Sequence, residues 1–176
     1  MSELRIALFD FDGTLCDTVA SIIRLTRHAC RIADVPEPSE AHVRANIGEG
    51  LFDAGLDYAK GDEAKAQIIY DEFRRAAHRE FTLPNLAVDP LFAGAKQALE
   101  ALSEAGWLLG IVTNKGRHGL GQLTMRHGIA DLIDVSFTAD DMPVKPAPDM
   151  ATAAIDKYGV APTRAVFIGD TINDAL

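Results

Sequence analysis

Leu8-Phe9-Asp10-Phe11-Asp12-Gly13-Thr14-Leu15 decides how the rest of this chain is read. The apolar run Ile6 to Phe9 has the make-up of a strand buried on both faces, as in a parallel sheet. It ends in two aspartates one residue apart. Side chains alternate along extended backbone, so Asp10 and Asp12 leave on the same side. Gly13 and Thr14 follow at once as a turn. Open α/β sheets bind ligands at the carboxyl ends of their strands, which is where both acids stand. Paired carboxylates suit a hard, oxygen-seeking cation such as Mg²⁺. One of them can attack a phosphoryl group while the other moves protons, an established covalent strategy. The plainer alternative is an Asx-rich turn closing a strand.

The chain has 176 residues, enough for one domain or one domain carrying an insert. Its apolar fraction of 48% is ample for a core, and 24% charged residues is ordinary for a soluble protein. The net charge of -9 argues against nucleic acid or an anionic membrane as partner. An anionic substrate would therefore need locally placed cations. Cys16 and Cys30 fit neither a metal spacing nor a redox pair, which predicts reduced thiols and a cytoplasmic location. No segment has the length of a membrane span, and the first strand begins without a leader.

Two textures follow. From Asp17 to about Ala87 the pattern is helical. Asp17 or Thr18 is expected to cap a helix to about Ala33, with Ile22, Leu25, Ala29 and Ile32 at helical spacing. Val35-Pro36-Glu37-Pro38 breaks it, and Ser39 starts a short helix to about Asn46. Helices are expected over Leu51 to Ala59 and Glu63 to Phe81, with Thr82-Leu83-Pro84-Asn85 as a breaker. From Leu91 helix and strand alternate. Helices are expected at Ala93 to Ala105, Leu120 to His127, Asp149 to Tyr158 and from Thr171. Strands are expected at Trp107 to Thr113, Ile133 to Thr138 and Ala165 to Ile168. Such alternation builds a parallel sheet with right-handed crossovers. The helical stretch then reads as an insert, with hinge candidates near Cys16 and Asp89.

Each later strand end carries chemistry. The second core strand ends in Thr113-Asn114-Lys115, whose hydroxyl and following backbone N–H groups suit a phosphate oxygen. After the third come Lys145 and two prolines that stiffen the loop, so a fixed ammonium can neutralise a phosphate or hold a carboxylate. The fourth ends in Gly169-Asp170-Thr171-Ile172-Asn173-Asp174, whose two acids can face the cation that Asp10 and Asp12 need. Each signal alone is also a cap, a surface lysine or a first-turn acid. Together, in this order, they make a set for metal-assisted phosphoryl transfer.

The chain resembles the haloacid dehalogenase superfamily in its phosphatase branch, and most closely phosphoglycolate phosphatase-like members with a helical C1-type cap. Asp10-Phe11-Asp12-Gly13-Thr14, Thr113-Asn114, Lys145-Pro146 and Gly169-Asp170-Thr171 to Asp174 match its four motifs. The resemblance implies an α/β fold: a Rossmann-like parallel-sheet core of residues 1–15 and 90–176, with residues 16–89 inserted as an α-helical cap. It implies Asp10 as nucleophile and Asp12 as general acid/base, with Thr113, Asn114 and Lys145 binding phosphate. Mg²⁺ would be held by Asp10, the backbone carbonyl of Asp12, Asp170 and Asp174. The implied activity is Mg²⁺-dependent hydrolysis of a small, phosphoglycolate-like phosphomonoester by a monomer or homodimer.

Asp12 favours phosphoryl chemistry over dehalogenation, because the superfamily's dehalogenases lack that second acid. Sugar phosphomutases keep it but usually carry a cap histidine where this chain has Val19 to Arg24. Nucleotidase or pyrophosphatase activity stays open. The loop Asn46 to Leu51, with Gly48, Glu49 and Gly50, resembles the family's cap specificity loop, and Arg24, Arg27 and Arg44 are candidate substrate cations or members of a solvated helix face. Family members continue past Leu176 with further core sequence. The chain is thus expected to be part of a longer protein, its last strand an uncovered edge and Asp174 in a frayed turn. A remnant that binds metal or a partner without turnover is the non-enzymatic alternative.

Overall fold

The computed structural model describes residues 4–82 and 88–175. The run Ile6–Phe9 forms β1, buried along its whole length. It is flanked by Leu108–Thr113 (β2) and Ala165–Ile168 (β4), and Val135–Thr138 (β3) lies outside β2. All four are parallel, in the order β3-β2-β1-β4. Ile6 stands opposite both Leu108 and Ala165, and Gly110 opposite Val135. Among the described residues β4 is a sheet edge, as expected.

Alternation along β1 divides the core between the two faces of the sheet. Ala7 and Phe9 join Leu99 of α5 (Ala95–Glu104) and Leu120 and Leu123 of α6 (Arg117–Arg126) on one side. Ile6 and Leu8 join Met150 and Ala154 of α7 (Asp149–Tyr158) on the other. Both faces of β1 are therefore dry, which explains its unbroken apolar run.

The first half of the chain contributes α1 (Val19–Ile32), α2 (Glu40–Ala45), α3 (Leu51–Tyr58) and α4 (Glu63–Thr82). Helices α1 and α3 both pack on α4. They enclose a third apolar cluster that includes Cys30, Val35, Ala54, Tyr58 and Ile69. Glu72 of α4 is buried against this group, taking contacts from His28 Nε2 at 3.1 Å, Arg79 at 2.8 Å and Arg75. Burial pushes its carboxyl up, but these partners outweigh that and hold it below the usual glutamate range.

The two connections to these helices run side by side. Cys16 bridges Leu91, Asp17 N–H donates to the Pro90 carbonyl (2.8 Å) and Phe92 N–H to that of Leu15 (3.0 Å). Both thiols are free and buried, and burial raises Cys16 to about 12 and Cys30 to about 11. No helix among the described residues is long and apolar enough to cross a membrane.

Four expectations need correction. Thr18 stands at the N-cap of α1, but its buried hydroxyl makes no hydrogen bond. Helix α6 begins at Arg117, not Leu120. Its first turn is held from elsewhere in the chain, because Asp140 Oδ2 accepts from Arg117 N–H at 2.8 Å. After β4 there is a 3-10 turn, Ile172–Asp174, rather than an α-helix. Asp174 is not frayed: a capping box with Thr171 fixes it, and it is buried. The breaker residues from Leu83 on, and Leu176, lie outside the described residues.

Candidate active site

The site is built at the carboxyl ends of β1, β2 and β4. Asp10 is tied into the sheet by its backbone N–H, which donates to the Ile168 carbonyl (2.9 Å). It is 2% exposed. Lys145, 1% exposed, places Nζ 2.9 Å from Asp10 Oδ1 and donates to Asp174 Oδ1 at 2.5 Å. The approach to Asp10 is an ion pair, but its angle leaves Oδ1 without a hydrogen bond. A buried carboxylate oxygen is costly unless a cation or a donor compensates it, and here the ion pair with Lys145 supplies part of that compensation.

Burial pushes the Asp10 carboxyl up to about 6 against the pull of Lys145, with Asp12 and Asp174 adding to the rise. Asp174 goes the other way. Burial raises it, but donors from Lys145 and Thr171 outweigh that and hold it below the usual aspartate range.

Asp170 completes an acidic triangle. One ligand atom from each of Asp10, Asp170 and Asp174 lies within 4.8 Å of the others. Asp170 is exposed, and its Oδ1 accepts from Thr14 Oγ1 at 2.8 Å. Three carboxylates, one of them carrying a buried oxygen with no hydrogen bond, form a donor set that fits a hard divalent cation. The carboxylate of Asp12 stands outside this triangle and takes both of its contacts from Lys115 Nζ, at 2.9 and 3.3 Å.

Gly13 makes room for the triangle. Its φ is +90°, and a Cβ there would stand 2.3 Å from Asp170 Oδ2. Gly13→Ala should therefore destabilise the fold by roughly 2 kcal/mol or more, from left-handed backbone and displaced Asp170 together. Thermal melts with and without Mg²⁺ check this. The variant should melt lower and respond less to the ion.

Thr113, 1% exposed, ends β2, and its Oγ1 accepts from Lys115 N–H at 3.3 Å. Asn114 acts as a brace. Its Oδ1 accepts from Lys145 N–H (2.7 Å), and its Nδ2 donates to the carbonyls of Lys145 (3.1 Å) and Gly48 (2.9 Å). A phosphate contact at Asn114 would thus come from its backbone. The Gly48 carbonyl also accepts from Asn173 Nδ2 at 3.2 Å. The loop at Gly48, Glu49 and Gly50 is in this way stitched to the strand ends and lines the same cavity as Asp10, Asp12, Thr113 and Lys145.

The candidate arginines are not brought there. Arg24 pairs with Glu80, Arg27 donates to the Pro38 carbonyl (3.1 Å) and Arg44 pairs with Glu40 at 2.8 Å; none lines the cavity. Sequence reasoning overlooked Lys115, whose one signal was its place directly after Thr113-Asn114. It also overlooked Arg74, which reaches from α4 to Asp140 at 2.6 Å.

Residues 7–176 match a family model described as haloacid dehalogenase-like hydrolase. The chain is 31% identical over 186 residues to a phosphoglycolate phosphatase of Pasteurella multocida, covering 100% of this chain and 81% of the relative. It is 30% identical over 187 residues to one from Vibrio vulnificus, covering 99% and 78%. A solved haloacid dehalogenase-like family hydrolase of Streptococcus pneumoniae superposes with a TM-score of 0.78 at 25% identity, over 99% of this chain and 79% of that one.

Proposed function

We propose, from the premise that this chain belongs to the haloacid dehalogenase-like hydrolases, that it is a Mg²⁺-dependent phosphatase of a phosphomonoester, working through an aspartyl-phosphate on Asp10. The observation that supports this most is the buried Asp10 oxygen without a hydrogen bond, set between Lys145 and two further carboxylates. Asp10, Asp170 and Asp174 would hold the ion, with the Asp12 carbonyl as the remaining protein ligand. When bound, the ion neutralises phosphoryl charge and removes the repulsion between a dianion and a carboxylate.

Asp10 attacks phosphorus as the P–O bond to the leaving alcohol breaks. Thr113 and Lys145 bind the equatorial oxygens, where charge accumulates. Asp12 gives its proton to the departing oxygen, then takes one from the water that attacks phosphorus, releasing inorganic phosphate and restoring Asp10. Before substrate enters, Lys115 Nζ pairs with Asp12 Oδ1 at 2.9 Å. Asp12 must take up a proton from solvent before it can act as the acid, so its contact with Lys115 has to open as the phosphate dianion arrives.

Residues 16–89 act as a cap on a core of 1–15 and 90–176. The separate apolar cluster of the helices and the paired connections at Cys16 and Leu91 support that division.

The test is phosphate release from a phosphomonoester, with Mg²⁺ and with chelator. Release only with Mg²⁺ supports the reading, and release unaffected by chelator sinks the metal site. As a companion, Mg²⁺ at a hundred times its dissociation constant should stabilise the chain by about 2.7 kcal/mol by mass action. Asp170→Asn should lose most of that stabilisation in a thermal melt.

A further inference from the structure

The cavity above the strand ends is large, about 870 Å³. Cavities of ~300–1,000 Å³ hold drug-sized ligands. A two-carbon phosphate ester would leave most of this one to water. Apolar and aromatic side chains make up part of its lining: Phe52, Tyr70, Phe73, Ile47, Leu51 and Val43. Phe52 and Tyr70 meet edge to face at 6.4 Å, from α3 and α4.

The charges around it point the same way. The free carboxylate of a small acid such as glycolate is bound best by a side-chain cation beyond those that bind phosphate. The Lys and Arg side chains lining the cavity are paired in the free chain, Arg74 with Asp140, Arg75 with Glu72, Lys115 with Asp12, and Lys145 with Asp10 and Asp174, and the phosphate itself draws on Lys145 and on Lys115 as it leaves Asp12. The remaining basic groups are His78 and His118, whose rings lie 4.2 Å apart and tilted by 34°. Burial, with His78 beside it, moves His118 away from its charged form. Glu49 and Asp53 also line the cavity and would repel a second carboxylate.

We infer that the substrate is a phosphomonoester whose leaving alcohol carries an uncharged ring, seated between Phe52, Tyr70 and Phe73. This rests on the phosphatase reading above. The phosphate meets Lys145 and Thr113, and the ring covers the apolar wall, excluding water from the reacting atoms.

Three alkyl esters separate binding from intrinsic reactivity, because their leaving alkoxides are of similar basicity: 2-phenylethyl phosphate, ethyl phosphate and phosphoglycolate. With Mg²⁺ present, kcat/KM for the phenylethyl ester should exceed that for the other two by about tenfold or more. Phe52→Ala and Tyr70→Ala, both half-buried positions, should raise its KM by roughly tenfold and leave ethyl phosphate hydrolysis unchanged. Two variants guard against one failing to fold. Phosphoglycolate as the best ester, or equal kcat/KM for all three, overturns the inference and leaves the phosphatase reading standing. No turnover of any ester overturns both.

Discussion

Asp10→Asn should abolish phosphate release, with a loss of at least about four orders of magnitude in kcat, the scale seen when a covalent nucleophile is removed. The amide has nearly the shape of the carboxylate but cannot form the acyl-phosphate. The fold should not suffer. Burial already disfavours the charged form of Asp10, holding its carboxyl up at about 6, so a neutral group relieves a desolvation cost. Lys145 keeps Asp174 as a partner at 2.5 Å. The metal-free variant should therefore melt no lower than the parent. Steady-state phosphate release and a thermal melt on one preparation check both halves. An inactive variant that is also unfolded would contradict this account of the site.

Lys145→Met should fail in the opposite manner, losing stability as well as activity. Lys145 is 1% exposed and lies within 3 Å of two buried carboxylates, at 2.9 Å from Asp10 and 2.5 Å from Asp174. Removing one member of a buried ion cluster strands the others, which typically costs about 3–5 kcal/mol. For a chain of this size that lowers the melting temperature by roughly 10 °C. Loss of a charge that stabilises the transferring phosphoryl group should cost about three orders of magnitude in kcat. Mg²⁺ should recover part of the stability, since the cation neutralises the same carboxylates, and little of the activity. Differential scanning calorimetry with and without Mg²⁺ separates the two effects.

How much of this was readable in the sequence depends on the reach of each interaction. β1 was readable because burial on both faces leaves an unbroken apolar run, and the helices because their apolar positions recur locally. Asp10, Thr113 and Asp170 were read at strand ends and Lys145 and Asp174 in the segments that follow strands, and the sheet order sets the ends of β1, β2 and β4 side by side. What was missed depends on pairing across the chain. The start of α6 at Arg117 needs Asp140, and glycines at positions 119 and 121 weaken its local helical signal. Lys115 meets Asp12 across 103 positions of sequence. Arg24 looked like a substrate cation because a helix pattern shows its face but not Glu80, which is 56 positions away.

The account turns on Asp10 carrying the phosphoryl group. The most direct measurement is to quench the chain during turnover of a phosphomonoester with Mg²⁺, reduce with borohydride, and read the tryptic peptide Ile6–Arg24 by mass spectrometry. An acyl-phosphate is reduced to the alcohol, so homoserine in place of Asp10, absent without substrate, is the predicted result. Sustained phosphate release with Asp10 intact in every quenched sample would contradict the account.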